Sequence, residues 1–331
     1  MTTQSHSEMR RLGSGPTVFP IALGCMGMSG MYGQADERES IATIHAALDQ
    51  GITLLDTGDY YASGNNELLI ARALEGRAGR ALLSVKFGAM RAPDGAWIGI
   101  DLRPAAVKNF LGYSLARLRV DHIDIYRPGR ADPNVPIEDT IGAIAESIAA
   151  GYVRAVGLSE VGADTIRRAH AVHPVADLQI EYSIISRGPE AKIFPALAEL
   201  RVGVTAYGVL SRGLLAGSTP SGTGDFRGHL PRFSGANLEQ NRRVVETLGR
   251  LAAEHGCTAS QLAIAWVLAK GNNIVPVIGA RTRKQLSEAL GALDIKLSPG
   301  DVAAIEAAIS PEAVAGTRYD ERQMRILDSE R

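Results

Sequence analysis

Three side chains at the tips of apolar runs could together deliver a proton. The run Gly51–Leu55 ends in Asp56, with Tyr61 five residues on, and the run Ala81–Val85 ends in Lys86. An ammonium group at the end of an apolar strand is costly to bury without a paired carboxylate, and Asp56 on a neighbouring tip is the available partner. A phenol has a reference pKa of about 10, and a nearby ammonium lowers it by favouring phenolate. Tyr61 would then protonate a carbonyl oxygen as hydride reaches the carbon, and the lysine field would stabilise the developing alkoxide without a metal. The adjacent Tyr60 is the competing donor.

These residues must be carried by elements that end side by side. From residue 18 onward, short β-branched runs alternate with amphipathic stretches of helical length, which argues for a parallel sheet with its helices outside. The spacing predicts strands over 20–23, 52–56, 81–86, 122–127, 153–158, 177–181, 203–207 and 274–277. Helices are expected over Glu37–Gln50, Asn66–Leu74, Pro104–Leu118, Ile137–Ala149, Asp164–Val172, Ala191–Leu200 and Arg283–Leu290. Eight strands make a closed (β/α)8 TIM barrel more natural than an open sheet, and barrel active sites lie where strands end. Arg10–Gly13 and Thr17–Pro20 read as a hairpin plugging the barrel bottom. Between Gly213 and Asn237 runs a long Gly-, Ser- and Pro-rich connection, expected to act as a lid. The patterns Leu238–His255 and Ala259–Leu268 precede the last strand, and Pro299–Ile309 supplies an extra C-terminal helix.

The ordered set Asp56-Thr-x-x-x-Tyr61-x-x-Gly64-x-Asn66-Glu67, followed by Lys86, resembles the signature of the aldo-keto reductases. The likeness runs from Arg10 to the C-terminal tail and is greatest to the bacterial and fungal branch near pyridoxal reductases and broad-specificity aldehyde reductases. It implies NADPH-dependent reduction of aldehydes or ketones to alcohols, with Tyr61 as general acid, Lys86 tuning it and Asp56 holding the lysine. One departure follows His122-Ile-Asp-Ile-Tyr-Arg-Pro-Gly129, where relatives carry histidine at the place of Gly129. His122 opens the strand, about 23 Å away at ~3.3 Å per extended residue, and is expected to be structural. Water, Arg127, Arg130 or an unusual substrate could occupy the freed space. The missing histidine also motivates an alternative, an NADPH-binding redox sensor or regulatory subunit with poor turnover.

No Gly-x-Gly-x-x-Gly follows the first strand, so a Rossmann site is not indicated. The resemblance places the nicotinamide carboxamide near Ser159, Glu160 and Gln179, with the ring on Tyr207, the ribose floor at Met26, and Asp56 also at the cofactor. Glu160 stands where relatives often have asparagine. Gly208, Leu210, Arg212, Gly213 and Leu214 resemble the pyrophosphate loop, whose backbone N–H groups meet phosphate oxygens. After the last strand, Gly279 and Arg281 open a basic helix start suited to an adenosine 2′-phosphate, with Gln285 and Glu288 on the adenine side.

Composition bounds the rest. The 331 residues suit one barrel domain over 1–331, a fold that needs ~250 residues. Thirty-five Lys and Arg against 36 Asp and Glu leave a charge of −1, which supplies no global attraction to nucleic acid or an anionic membrane. Cys25 and Cys257 are too few for a disulfide framework, and Val18–Cys25 is far short of the ~20 residues a membrane span needs. A cytoplasmic protein acting on a small carbonyl substrate is expected. The 7 histidines do not gather at strand tips as a metal-dependent barrel hydrolase would require. Substrate choice is left to the variable loops Met28–Gly33, Phe87–Asp101 and Gly217–Asn237, and oligomeric state has no signal.

Overall fold

Alternating apolar runs become the parallel strands β1 (Ala22–Gly24), β2 (Leu54–Gly58), β3 (Leu82–Phe87), β4 (Ile123–Pro128), β5 (Val153–Ser159), β6 (Val175–Glu181), β7 (Gly203–Tyr207) and β8 (Ile274–Gly279). In the computed structural model, which describes residues 8–77, 79–220 and 225–331, they close into a barrel in chain order, with β8 bonded back to β1. Around it lie α1 (Glu37–Asp49), α2 (Asn65–Leu74), α3 (Pro104–Leu118), α4 (Ile137–Ala149), α5 (Ala163–Val172), α6 (Pro189–Leu200), α7 (Gly235–Glu254), α8 (Ala259–Ala269), α9 (Arg283–Leu290), α10 (Pro299–Ala308) and α11 (Glu321–Ile326). The spans of α3, α4 and α9 are those expected from hydrophobic periodicity. Local chemistry sets the starts: Pro104 opens α3, and Thr258 with Gln261 forms a capping box on α8.

Alternate residues of each strand face inward, so the interior is layered. The lowest layer is apolar, built from Leu54, Ile125, Ala155, Val275 and Val277 and closed by Leu12 and Val18. These last two belong to the N-terminal hairpin, in which Arg10 pairs with Val18 and Arg11 with Thr17. The hairpin is fastened by the Arg10 guanidinium, which donates to the carbonyls of Leu268 and Gly271 at 2.9 Å each.

The next layers are polar. Register aligns Asp56 with Ser84, Lys86 with Arg127, and Gln179 with both Ser159 and Thr205. Arg127 is fully buried inside the barrel, donating to Asp177 at 2.9 Å and Ser84 at 3.0 Å. Gly157 makes room for it: a Cβ there would lie 3.1 Å from the Arg127 guanidinium carbon and 3.0 Å from Asp177.

Two features go beyond the sequence reading. The segment Phe87–Asp101 folds into an antiparallel pair, Ala89–Arg91 with Trp97–Ile100. The chain beyond α10 returns over the barrel mouth, burying Arg318, Tyr319 and Leu327. The connection between Gly213 and Asn237, expected as a lid, is tied down wherever it is described. Arg227 pairs with Asp225 at 2.7 Å and donates to the Arg212 carbonyl and the Ser218 hydroxyl, and α7 begins at Gly235. Residues 221–224 of that connection lie outside the described residues.

Candidate active site

At the C-terminal end of the barrel, the buried Lys86 ammonium lies 2.5 Å from Asp56 Oδ2. The other carboxylate oxygen accepts from Ser84 Oγ at 2.8 Å and Gln179 Nε2 at 2.9 Å. Burial pushes the Asp56 carboxyl up, but Lys86 and Arg127 outweigh it and hold it below its usual range, so the pair is ionic. Tyr61 covers this pair, its ring centroid 5.2 Å from Lys86 Nζ.

The residues around Tyr61 explain the rest of the motif. After Tyr61 the chain turns through left-handed Ala62, Ser63 and Gly64, with φ of 47°, 54° and 92°. Gly64 leaves room for Arg117, which passes 2.8 Å from where a Cβ would stand on its way to the buried Glu67 carboxylate. Asn66 fastens the turn to its neighbours: Thr57 donates to its Oδ1 at 2.6 Å, and its Nδ2 donates to the Cys25 carbonyl at 2.8 Å. Asn66, Glu67 and Gly64 therefore fix the turn that carries Tyr61.

The phenol is not shifted as the ammonium alone would shift it. Burial, then the Asp56 carboxylate, push Tyr61 well above 10, so the phenol keeps its proton. Lys86 spends its charge on Asp56. A different carboxyl, Asp59, is buried without an ion-pair partner among the described residues; burial and then Glu67 push it up to about 8.

Of the open occupants of the space at Gly129, Arg127 is excluded, because its side chain is committed inside the barrel. Arg130 donates to the Gly129 carbonyl at 2.7 Å and to the Tyr319 hydroxyl at 3.3 Å, and has no ion-pair partner among the described residues. His122 sits at the opposite end of β4, 3.8 Å from Asp124.

Residues expected at the cofactor gather along the same rim. Ser159, at the end of β5, is buried, and its hydroxyl has no partner among the described residues. A buried hydroxyl ordinarily has a partner, so this one has hydrogen-bonding capacity to spare. Met26 starts the turn after β1. The segment following β7 places Gly208, Ser211, Arg212 and Gly213 at positive φ; the Ser211 and Gly213 N–H groups donate to the Gly208 and Leu210 carbonyls at 2.7 and 2.9 Å, and Leu214 is buried behind this tight turn. At α9, Thr282 caps the helix, Arg281 donates to the Tyr32 carbonyl at 2.9 Å, and Gln285 accepts from the Arg281 backbone. Arg283 is committed to Glu39 and Glu288 accepts from Thr258, while the strand end at Gly279 is exposed.

Glu160 behaves differently from the expectation. Its carboxylate accepts from Arg318 (2.5 Å to Nη2), Ser329 Oγ, Tyr207 Oη and the Glu181 N–H, leaving little capacity for a carboxamide. Burial opposes its charge, but Arg318 holds the carboxyl down to about 2. Glu181 binds Arg212 at 2.9 Å and Arg232 at 3.3 Å, and Tyr319 reaches the Tyr207 hydroxyl at 3.0 Å. Glu181, Arg232, Arg318 and Tyr319 were missed by sequence reasoning. The last two lie in a tail without βα periodicity, so only the folded chain brings them to the rim.

A closed parallel barrel whose C-terminal rim joins a buried Lys–Asp pair and an overlying tyrosine has the layout of a barrel oxidoreductase. Residues 20–310 match the model of the aldo/keto reductase family, and the chain belongs to that family. Among relatives, it is 38% identical over 327 residues to a Glycine max protein named "Probable aldo-keto reductase 1", covering 96% of this chain and 93% of that one. It superposes with a TM-score of 0.83 on a glycerol dehydrogenase from Gluconobacter oxydans, at 28% identity over 92% of this chain and 97% of that one. An aldo-keto reductase from Klebsiella pneumoniae in complex with NADPH gives a TM-score of 0.74, at 25% identity over 95% and 99% of the two chains.

Proposed function

We propose that this protein reduces aldehydes or ketones to alcohols with NADPH, with Tyr61 as the proton donor. The observation that carries the proposal is the ionic Lys86–Asp56 pair, 2.5 Å apart and buried beneath the Tyr61 ring. When bound, NADPH supplies the hydride. Every other task falls to the chain. Tyr61 hydrogen-bonds the carbonyl oxygen and gives up its proton as negative charge develops there, leaving a phenolate. The Lys86 ammonium stabilises that phenolate through space, and Asp56, fixed by Ser84 and Gln179, keeps the ammonium beneath the ring. Tyr61 recovers its proton from solvent when the alcohol leaves.

For the cofactor, Ser159 offers its unpartnered hydroxyl to the carboxamide, Gln179 lines the same seat and Tyr207 supplies a ring face. Met26 forms the floor under the ribose. The tight turn Gly208–Leu214, which includes Leu210, Arg212 and Gly213, is assigned to the pyrophosphate, and the α9 start with Gly279, Arg281, Gln285 and Glu288 suits the phosphorylated adenosine. The family relationship and the NADPH-bound Klebsiella pneumoniae relative support this assignment. Glu160 is better suited to hold Arg318 and Tyr207 than to touch the carboxamide. The test is NADPH oxidation against a panel of aldehydes, ketones and quinones: turnover of a carbonyl supports the reductase, and tight NADPH binding without any turnover supports the sensor.

A further inference from the structure

Gly129 marks a place where a family side chain is absent, and the structure shows what stands there. It follows β4 with the same inward alternation as Ile125 and Arg127, and its N–H donates to the Phe87 carbonyl at 2.8 Å. A Cβ built on Gly129 would lie 3.2 Å from the hydroxyl oxygen of Tyr60 and 3.4 Å from its Cε1. The first atom of any side chain there would already crowd the phenol. The volume is filled by Tyr60, neither by Arg127 nor by an open gap.

The Tyr60 hydroxyl is also chemically free. No described residue hydrogen-bonds to it, and burial pushes the phenol upward, so it retains its proton. Its ring meets that of Tyr61 edge to face, with centroids 5.0 Å apart and planes at 81°. Gly58 permits this, since a Cβ there would lie 3.3 Å from Tyr61 and 3.4 Å from Tyr60. Two glycines, one on β2 and one after β4, thus clear the space that lets two adjacent phenols share the rim beside Lys86. A carbonyl oxygen has two lone pairs, so it can accept from two donors at once.

We propose that Tyr60 is a second catalytic residue, whose hydroxyl donates to the substrate carbonyl oxygen from the position that relatives give to histidine. It holds the oxygen while Tyr61 transfers the proton; no bond to Tyr60 is made or broken. This inference rests on the assignment of Tyr61 as the acid. It accounts for the co-occurrence of Tyr60 with Gly129, because the phenol and a larger side chain at 129 exclude one another. A phenol also differs from an imidazole in having no ionisation near pH ~6.5, so the wild-type rate should lack that step.

The test uses the full chain, NADPH and benzaldehyde, with Tm and NADPH affinity measured for each variant. Tyr60→Phe should lower kcat by about 100-fold, the scale for loss of one oxyanion donor, with NADPH affinity unchanged. Gly129→Ala should lower kcat in the wild-type background, by displacing the hydroxyl, and cause no further loss in Tyr60→Phe. Tyr60→Phe combined with Gly129→His should regain activity over Tyr60→Phe alone and acquire a pH dependence near ~6.5. A Tyr60→Phe variant within twofold of the wild-type kcat overturns the proposal. So does a Gly129→Ala loss that persists unchanged in Tyr60→Phe. Should Tyr60→Phe fail to fold, Gly129→Ala alone decides: full kcat overturns the proposal, and reduced kcat with intact NADPH binding supports it. Tyr61→Phe separates the two assignments, since its inactivity beside an active Tyr60→Phe removes only the role of Tyr60, whereas an active Tyr61→Phe removes the acid assignment beneath it.

Discussion

The two ends of the barrel interior follow the same strand alternation and contain opposite chemistry. At the bottom, Leu54, Ile125 and Val275 meet the hairpin residues Leu12 and Val18 in a dry apolar layer. One inward position above Leu54 and Ile125, the same strands present Asp56 and Arg127, joined by Lys86 of β3 and Asp177 of β6, all buried. The lower end gains from burial roughly in proportion to the apolar area covered. The upper end keeps charges that an apolar core would not need, and what it gains is a preorganised field beside Tyr61. Stability and chemistry are thus segregated along the barrel axis.

Mutations at the two ends should separate those properties. Leu54→Ala should cost ~2–5 kcal/mol of stability, the usual range for a truncated core leucine, while kcat of the folded enzyme stays near wild type. Chemical denaturation with turnover measured below the transition checks this; a large kcat loss at full folding would show that the lower layer participates in the chemistry. At the upper end, the double change Asp56→Asn with Lys86→Met removes the buried ion pair yet keeps acceptors for Ser84 and Gln179. Stability should be unchanged or raised by up to ~4 kcal/mol, and carbonyl reduction should be lost. Marked destabilisation would mean that the pair serves the fold.

Further out on the rim, Arg281→Ala should weaken NADPH by ~1.5–3 kcal/mol and NADH much less, because a charge-assisted bond to the 2′-phosphate exists only with NADPH. Equal weakening of both dinucleotides, measured by fluorescence titration, would move the phosphate site elsewhere.

Much of this was legible in the sequence. The βα alternation sufficed for the barrel because each strand is a short apolar run and each helix carries a periodic face, so local pattern and global topology agree. The triad Asp56, Tyr61 and Lys86 was legible because those residues sit at strand tips, where burial of a charge needs an explanation. The tail was not legible: Arg318 and Tyr319 reach the rim through contacts to Glu160 and Tyr207 more than a hundred positions away, with no periodicity to announce them. The direction of the Tyr61 shift was misjudged for a related reason. The Lys86 ammonium was weighed without the burial of the phenol, which with the Asp56 carboxylate dominates.

A pH-dependent effect is expected at Asp59, the carboxyl that contrasts with Asp56 three residues earlier. Its folded pKa of about 8 lies above the ~3.9 of an unfolded aspartate, so between those values the native state holds a proton that the unfolded chain has lost. Its contribution to stability is therefore complete below pH ~4 and is lost as pH rises toward 8. Asp59→Asn should change little at pH ~4 and should flatten the decline between pH ~4 and 8, seen as a higher Tm than wild type at pH ~7 and above. An undiminished decline between pH ~4 and 8 in the variant would place its origin in another group.

The central claim is that Tyr61 delivers the proton, and the most direct measurement is single-turnover reduction of a reactive aldehyde by Tyr61→Phe, with NADPH affinity determined on the same preparation. The ring and its packing over Lys86 remain, and only the hydroxyl is removed. The expected result is a rate lower by ~10²–10⁴-fold, the range for loss of a general acid, with an NADPH Kd within about twofold of wild type. A near-wild-type rate with NADPH still bound would contradict the assignment.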